Sequence, residues 1–136
     1  WHSIARSQSF ATPDLLVEAG IEYGCDWSND DVPWTFANGL VNLPLNHELS
    51  DRQIINVQQQ SVDSYAEQML DAQDWLAAEA AAGAGGRLLP MHLTPYIIGL
   101  PYRMDAFERL LADLKASPAT WFARGCDILD SYRSQA

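Results

Sequence analysis

Apolar residues recur at helical spacing through Val62, Tyr65, Ala66, Met69, Leu70, Trp75 and Leu76, which predicts a long amphipathic helix. Ser61 stands where its N-cap belongs, and after Ala82 the run Gly83-Ala84-Gly85-Gly86 stops it. A second apolar face, Phe107, Leu110, Leu111 and Leu114, predicts a helix over 104–115 that Ser117-Pro118 breaks. Thr12-Pro13-Asp14 predicts a short helix over 13–19, with a hydroxyl cap, proline in its first position and an acid in its first turn, stopped by Gly20. Gly125 to Tyr132 reads as the last helix, with Ser134-Gln135-Ala136 frayed.

Between these helices the period shortens. Ile21-Glu22-Tyr23-Gly24-Cys25 alternates as a strand does, Leu40 to Leu45 reads as another, and Thr120 to Ala123 as a short one. Arg87 to Thr94 is a near-continuous apolar run of the kind that parallel strands buried on both faces carry, and Pro95 closes it. Trp1 to Ala5 reads as the tail of a strand. Strands alternating with helices predict parallel pairing through right-handed crossovers, hence an α/β sheet or barrel, in one domain over 1–136.

Charge narrows the partners. The 8 Lys and Arg against 18 Asp and Glu give a formal charge of -10, which repels phosphate backbones and anionic lipid, so nucleic acid is excluded. Asp63, Glu67, Asp71, Asp74 and Glu79 are expected on solvated helix faces. No apolar run reaches membrane-spanning length and no signal peptide is visible, so a cytoplasmic protein is expected. Cys25 and Cys126 are expected as buried free thiols rather than a disulfide.

In an α/β barrel, reactive groups stand where strands end. Trp1 to Ser3, Asp26 to Trp34, Asn46 to Asp51 and His92 to Tyr96 all lie at such places, although Asn46 to Asp51 is too polar for a core. His92 reads either as a core histidine bonded to backbone or as a general acid or substrate contact. Asp26 reads either as a turn cap or as a carboxylate that orients a reacting group. Trp27, Trp34 and Tyr96 offer flat faces to a sugar or planar ligand, or else anchor their loops. His2, His47 and His92 would each end a different strand and in principle meet at zinc, but their spacing contains no local pair.

Four segments carry a family likeness: ATPDLLVEAGIEYGCDWSNDDVPW (11–34), LVNLPLNHELSD (40–51), LTPYIIGLPYR (93–103) and TWFARGCDILDSY (120–132). In this order they resemble the C-terminal half of polysaccharide deacetylase family proteins, on the branch that includes allantoinase-like amide hydrolases. The resemblance implies a deformed (β/α) barrel of about seven strands, of which this chain supplies the later strands and helices. It implies hydrolysis of carbon–nitrogen amide bonds, typically release of acetyl groups from N-acetylated sugars. Family members often use a divalent metal such as zinc, so the resemblance leaves a metal-dependent and a metal-independent reaction both open, with any Asp and His ligands and the catalytic base expected upstream of this chain.

Trp1-x-Ser3 resembles the end of the family's third motif, Asp26-Trp27 its fourth, and the segment at His92 its fifth. The fifth motif usually reads Leu-His-Pro, whereas here Leu93-Thr94-Pro95 follows His92. Two residues along a strand keep the same face, displaced by about 6–7 Å. His92 and Asp26 are accordingly expected as catalytic residues, with Trp1, Trp27, Asp30, Asp31, Trp34, Glu48, Thr94 and Tyr96 as substrate contacts. The expected partners are a sugar or other small-molecule substrate and an upstream half, a second subunit or a further copy that closes the sheet. The alternative is a carbohydrate-binding or scaffolding domain that keeps the fold without turnover.

Overall fold

Thr12–Glu18 forms the first helix, α1, with Pro13 in its opening turn, and Gly20 closes it in the left-handed region at φ 76°. Thr12 does not cap it. Ala11 holds the N-cap position, and the Thr12 hydroxyl instead accepts the Ser9 N–H at 3.0 Å, fixing the turn before the helix. The computed structural model describes residues 1–135, so of the stretch expected to fray Ala136 lies outside the described residues. Contacts fall into two units, residues 1–45 with 123–135, and 46–122.

In the first unit, β1 (Tyr23–Gly24), β2 (Trp34–Thr35) and β3 (Val41–Asn42) form a sheet in the order β1-β3-β2. β3 runs parallel to β1, with Tyr23 opposite Val41, and antiparallel to β2, with Trp34 opposite Asn42. The strands expected over 21–25 and 40–45 are thus in place but short. Trp1 donates its amine to the Tyr23 carbonyl at 2.8 Å and accepts the Cys25 N–H at 3.0 Å, the exchange that neighbouring parallel strands make. The strand expected over 1–5 ends there, because Ala5 and Arg6 turn the chain at φ 52° and 54°.

Helix α5 (Gly125–Gln135) returns to this sheet and continues past Tyr132, so Ser134 and Gln135 are helical rather than frayed. Arg133 binds Glu22 at 2.6 Å, the Tyr132 hydroxyl meets Thr35 at 3.3 Å, and Leu129 is buried. Gly125 allows this approach, since a Cβ there would stand 2.5 Å from the Tyr23 hydroxyl. Both cysteines are free, but Cys25 is half-buried and Cys126 exposed, which corrects the expectation of two buried thiols.

At the start of α5 the Asp127 carboxylate accepts the Arg124 N–H at 3.1 Å and two guanidinium hydrogen bonds at 3.0 and 2.9 Å. These bonds, the side-chain ones foremost, hold its carboxyl down to about 2. An unfolded Asp titrates near ~3.9, so the contribution is complete above that value and is lost as pH falls toward 2. Acidification through this window is expected to loosen the first turn, read as falling hydrogen-exchange protection, relative to the unfolded chain at the same pH, at Ile128, whose N–H bonds the Arg124 carbonyl. Unchanged protection across the window would contradict the assignment.

The second unit is helical. Ser61 caps α2 (Val62–Glu79) as expected, its hydroxyl accepting the Ser64 N–H at 3.0 Å. The helix passes into a wider turn over Ala80–Ala84, and Gly83 and Gly85 at φ 91° and 79° end it. A π-helical segment over Arg52–Val57 precedes it, and α3 (Pro95–Ile98) and α4 (Pro101–Ala116) follow. Ile54, Tyr65, Met69, Ile98, Leu110 and Leu114 form the centre of the core, each large apolar side chain contributing about 1.5–3 kcal/mol. Asp63, Glu67, Asp71 and Asp74 face solvent as expected, while Glu79 is half-buried against Arg87 at 3.1 Å.

Two expected strands are not formed. Residues 87–94 are half-buried and form no ladder among the described residues, and 120–123 is irregular, with Trp121 and Phe122 exposed. An apolar run specifies burial, but a strand also needs a partner edge. The architecture is mixed α/β with one three-stranded sheet, where later strands of a seven-strand barrel were expected. Among the described residues no helix is long and apolar enough to cross a membrane.

Candidate active site

The turn leaving β1 places Asp26 under the first residues of the chain. Its side chain is only 3% exposed, and its Oδ1 lies 2.8 Å from His2 Nδ1. The Ser3 N–H donates to both carboxylate oxygens, at 3.0 and 3.3 Å. A buried carboxylate beside Nδ1 fixes the imidazole's orientation and, in the neutral ring, its tautomer. Asp26 therefore orients an imidazole, and in its own unit that imidazole is His2.

Next to it the chain is locked by a side chain not expected to matter. Asn42, fully buried in β3, donates from Nδ2 to the Trp27 carbonyl at 2.8 Å and accepts the Trp27 N–H at Oδ1, 3.3 Å. Both backbone polar groups of Trp27 are satisfied by one side-chain amide. Asn42→Ala leaves both unmade and is expected to cost about 2 kcal/mol, measured by chemical denaturation followed through tryptophan fluorescence. A loss below about 0.5 kcal/mol would mean that water replaces the amide. With the Trp27 backbone held, Trp1, Gln8, Asp26, Trp27, Phe36 and Asn42 line a recess.

The remaining residues of this loop divide. Trp34 is half-buried, its indole N–H on Asn29 Oδ1 at 2.7 Å and its ring 4.2 Å from Phe36, so it anchors the loop. Trp27 meets Phe36 edge-on at 5.9 Å and stays 45% exposed, which leaves ring surface at the recess. Asp30 and Asp31 are exposed, and the Asp30 carboxylate accepts the Asp31 N–H at 2.7 Å.

The second unit holds the other expected residues. His92 and Thr94 are half-buried, Tyr96 and Glu48 exposed. The His47 and His92 rings lie 5.9 Å apart, tilted by 56°. Asp51, expected in a run too polar for a core, is fully buried with its neighbour Ser50. Its Oδ2 accepts the Thr94 N–H at 2.7 Å, and its own N–H donates to the His92 carbonyl at 3.3 Å.

Sequence reasoning thus missed His2 as the partner of Asp26, together with Asn42 and Asp51. A polar residue within the apolar run Leu40-Val41-Asn42-Leu43 was a usable signal for Asn42. His2 and Asp51 lie in stretches already marked as strand-end places, but nothing in the sequence paired His2 with Asp26 or turned Asp51 inward. Among the described residues no three His, Cys, Asp or Glu side chains converge as a metal site requires.

No family model matches the chain, and no curated protein matches it at a significant level. Solved structures do. The structure of Puue allantoinase is 28% identical with a TM-score of 0.81, covering 93% of this chain and 44% of the allantoinase. A probable polysaccharide deacetylase from Pseudomonas aeruginosa PAO1 is 26% identical, also at 0.81, over 94% of this chain and 44% of that protein. The chain spans less than half the length of each. It is a structural relative of the polysaccharide deacetylase family, allantoinase included, and corresponds to the C-terminal half of these proteins.

Proposed function

We propose that this chain forms the later part of a hydrolase of carbon–nitrogen amide bonds, releasing acetyl from an N-acetylated sugar or opening a cyclic amide. The observation that carries this reading is the likeness, over nearly all of the chain, to the allantoinase and the probable polysaccharide deacetylase. Water adds to the amide carbonyl, the carbon–nitrogen bond breaks, and the leaving nitrogen takes a proton. His92 is the group that gives this proton or bonds the carbonyl oxygen as it gains charge. Asp26 orients an imidazole by a charged hydrogen bond, as its 2.8 Å contact with His2 supports.

Trp1, Trp27 and Tyr96 offer ring faces, and Asp30, Asp31, Glu48 and Thr94 offer polar contacts to the substrate. Trp34 is the weakest of these candidates because its indole is already engaged by Asn29 and Phe36. The metal ligands and base of the resemblance belong upstream, and no step here runs through a metal.

The test is turnover by the full-length protein of N-acetylglucosamine oligomers and of allantoin, after chelation and with added zinc, scored as acetate release and ring opening. Hydrolysis of either class is the expected result. Glycan binding with no hydrolysis under any condition would overturn it in favour of a silent carbohydrate-binding domain.

A further inference from the structure

Asp51 is a buried anion whose presence the core does not explain. It is fully enclosed, and its Oδ1 takes no hydrogen bond from the described residues. Enclosing a carboxylate is costly unless its bonds are good, and an apolar side chain of that size would have packed at no such cost. What Asp51 does have is a grip on residues 92–94. The 2.7 Å bond from the Thr94 N–H is in the charge-assisted range, and the Asp51 N–H holds the His92 carbonyl from the same residue.

Those two contacts bracket Leu93. Segment 87–94 has no ladder among the described residues, so Asp51 supplies part of what a neighbouring strand would have given. Asp51 itself is fixed, because it enters the π-helical segment whose Ile54 and Ile55 are core residues. Ser50 stiffens that entry, its hydroxyl accepting the Gln53 N–H at 3.1 Å. The rigid core is thereby joined to the backbone that carries the His92 ring.

We propose that Asp51 is a positioning residue for His92, clamping the peptide groups on either side of Leu93 so that the imidazole is presented at one place. The proposal rests on the reading of His92 as the proton donor or carbonyl partner. It gives a role to the last residue of the 40–51 segment, which the sequence reading did not single out.

The test uses the full-length protein labelled with ¹⁵N-threonine. In the wild type the Thr94 amide is expected at low field with slow hydrogen exchange. Asp51→Asn is expected to move the resonance upfield, speed its exchange at least ~10-fold, and lower kcat about tenfold with KM within about twofold, the pattern of lost orientation rather than lost binding. Fast Thr94 exchange in the wild type overturns the clamp. An unchanged kcat in Asp51→Asn with the Thr94 amide released overturns the positioning role. Should that variant fail to fold, Asp51→Glu, which keeps the charge and displaces the oxygen, carries the same two readings. Full activity in His92→Ala would remove the reading of His92 and leave the Thr94 measurements, which report the clamp alone, unaffected.

Discussion

His92→Ala is expected to lower kcat by about 10²- to 10⁴-fold, the range a positioned proton donor supplies. The substitution is clean for a structural reason. The His92 ring is half-buried and lies outside the core cluster, whereas its carbonyl, which Asp51 holds, survives the change. Thermal unfolding is therefore expected to move little while turnover collapses. Asp113→Ala, at an exposed position of α4, is the matched control, expected to leave both untouched. Steady-state rates across pH separate the alternatives, because a lost acid also removes one limb of the profile and a merely packed histidine does not. Full turnover in His92→Ala would end its assignment.

Tyr65→Ala is expected to cost about 3–5 kcal/mol of stability, among the largest effects available to one substitution in this chain. Tyr65 is 0% exposed at the centre of the helical core, so truncation leaves a ring-sized void between α2 and its neighbours. Tyr65→Phe separates the ring from its oxygen. The hydroxyl is enclosed, has no hydrogen-bond partner among the described residues, and is pushed toward higher pKa first by burial and then by the charge of Asp51. Removing an unsatisfied buried hydroxyl is expected to change stability by less than about 1 kcal/mol, or to raise it. Denaturation midpoints of both variants decide the matter, and a loss above about 2 kcal/mol for Tyr65→Phe would show that the oxygen is bonded.

What could be read from the residues follows the range of the interactions. α2 and α4 are specified by apolar spacing, a cap and a stop, all local, and both stand close to where the pattern put them. The run over 87–94 misled because apolar composition reports enclosure while pairing depends on a distant edge. Likewise the polarity of Asn46 to Asp51 spoke for solvent, yet Ser50 and Asp51 turn inward, since each finds its partner in backbone amides that no pattern displays. Among the candidate residues, Asp26 and His92 were legible as polar groups ending apolar runs. The contact of Asp26 with His2 crosses 24 positions and the bond from Thr94 to Asp51 crosses 43, and separations of that kind leave no periodic trace. The sequence resemblance and the fold agree even so, because the quoted motifs mark loops whose places the architecture fixes.

The division of the chain also bears on how the molecule is made. Everything that α2, α3 and α4 pack against in their unit is contiguous, so that unit can consolidate while still emerging from the ribosome. The sheet cannot. Glu22 and Thr35 wait for Arg133 and Tyr132, which follow 111 and 97 positions later in the chain, and Tyr23 waits for Gly125. Until α5 arrives, β1 and β2 lack their cover, and this interval is when nascent chains are most open to capture by chaperones or by one another.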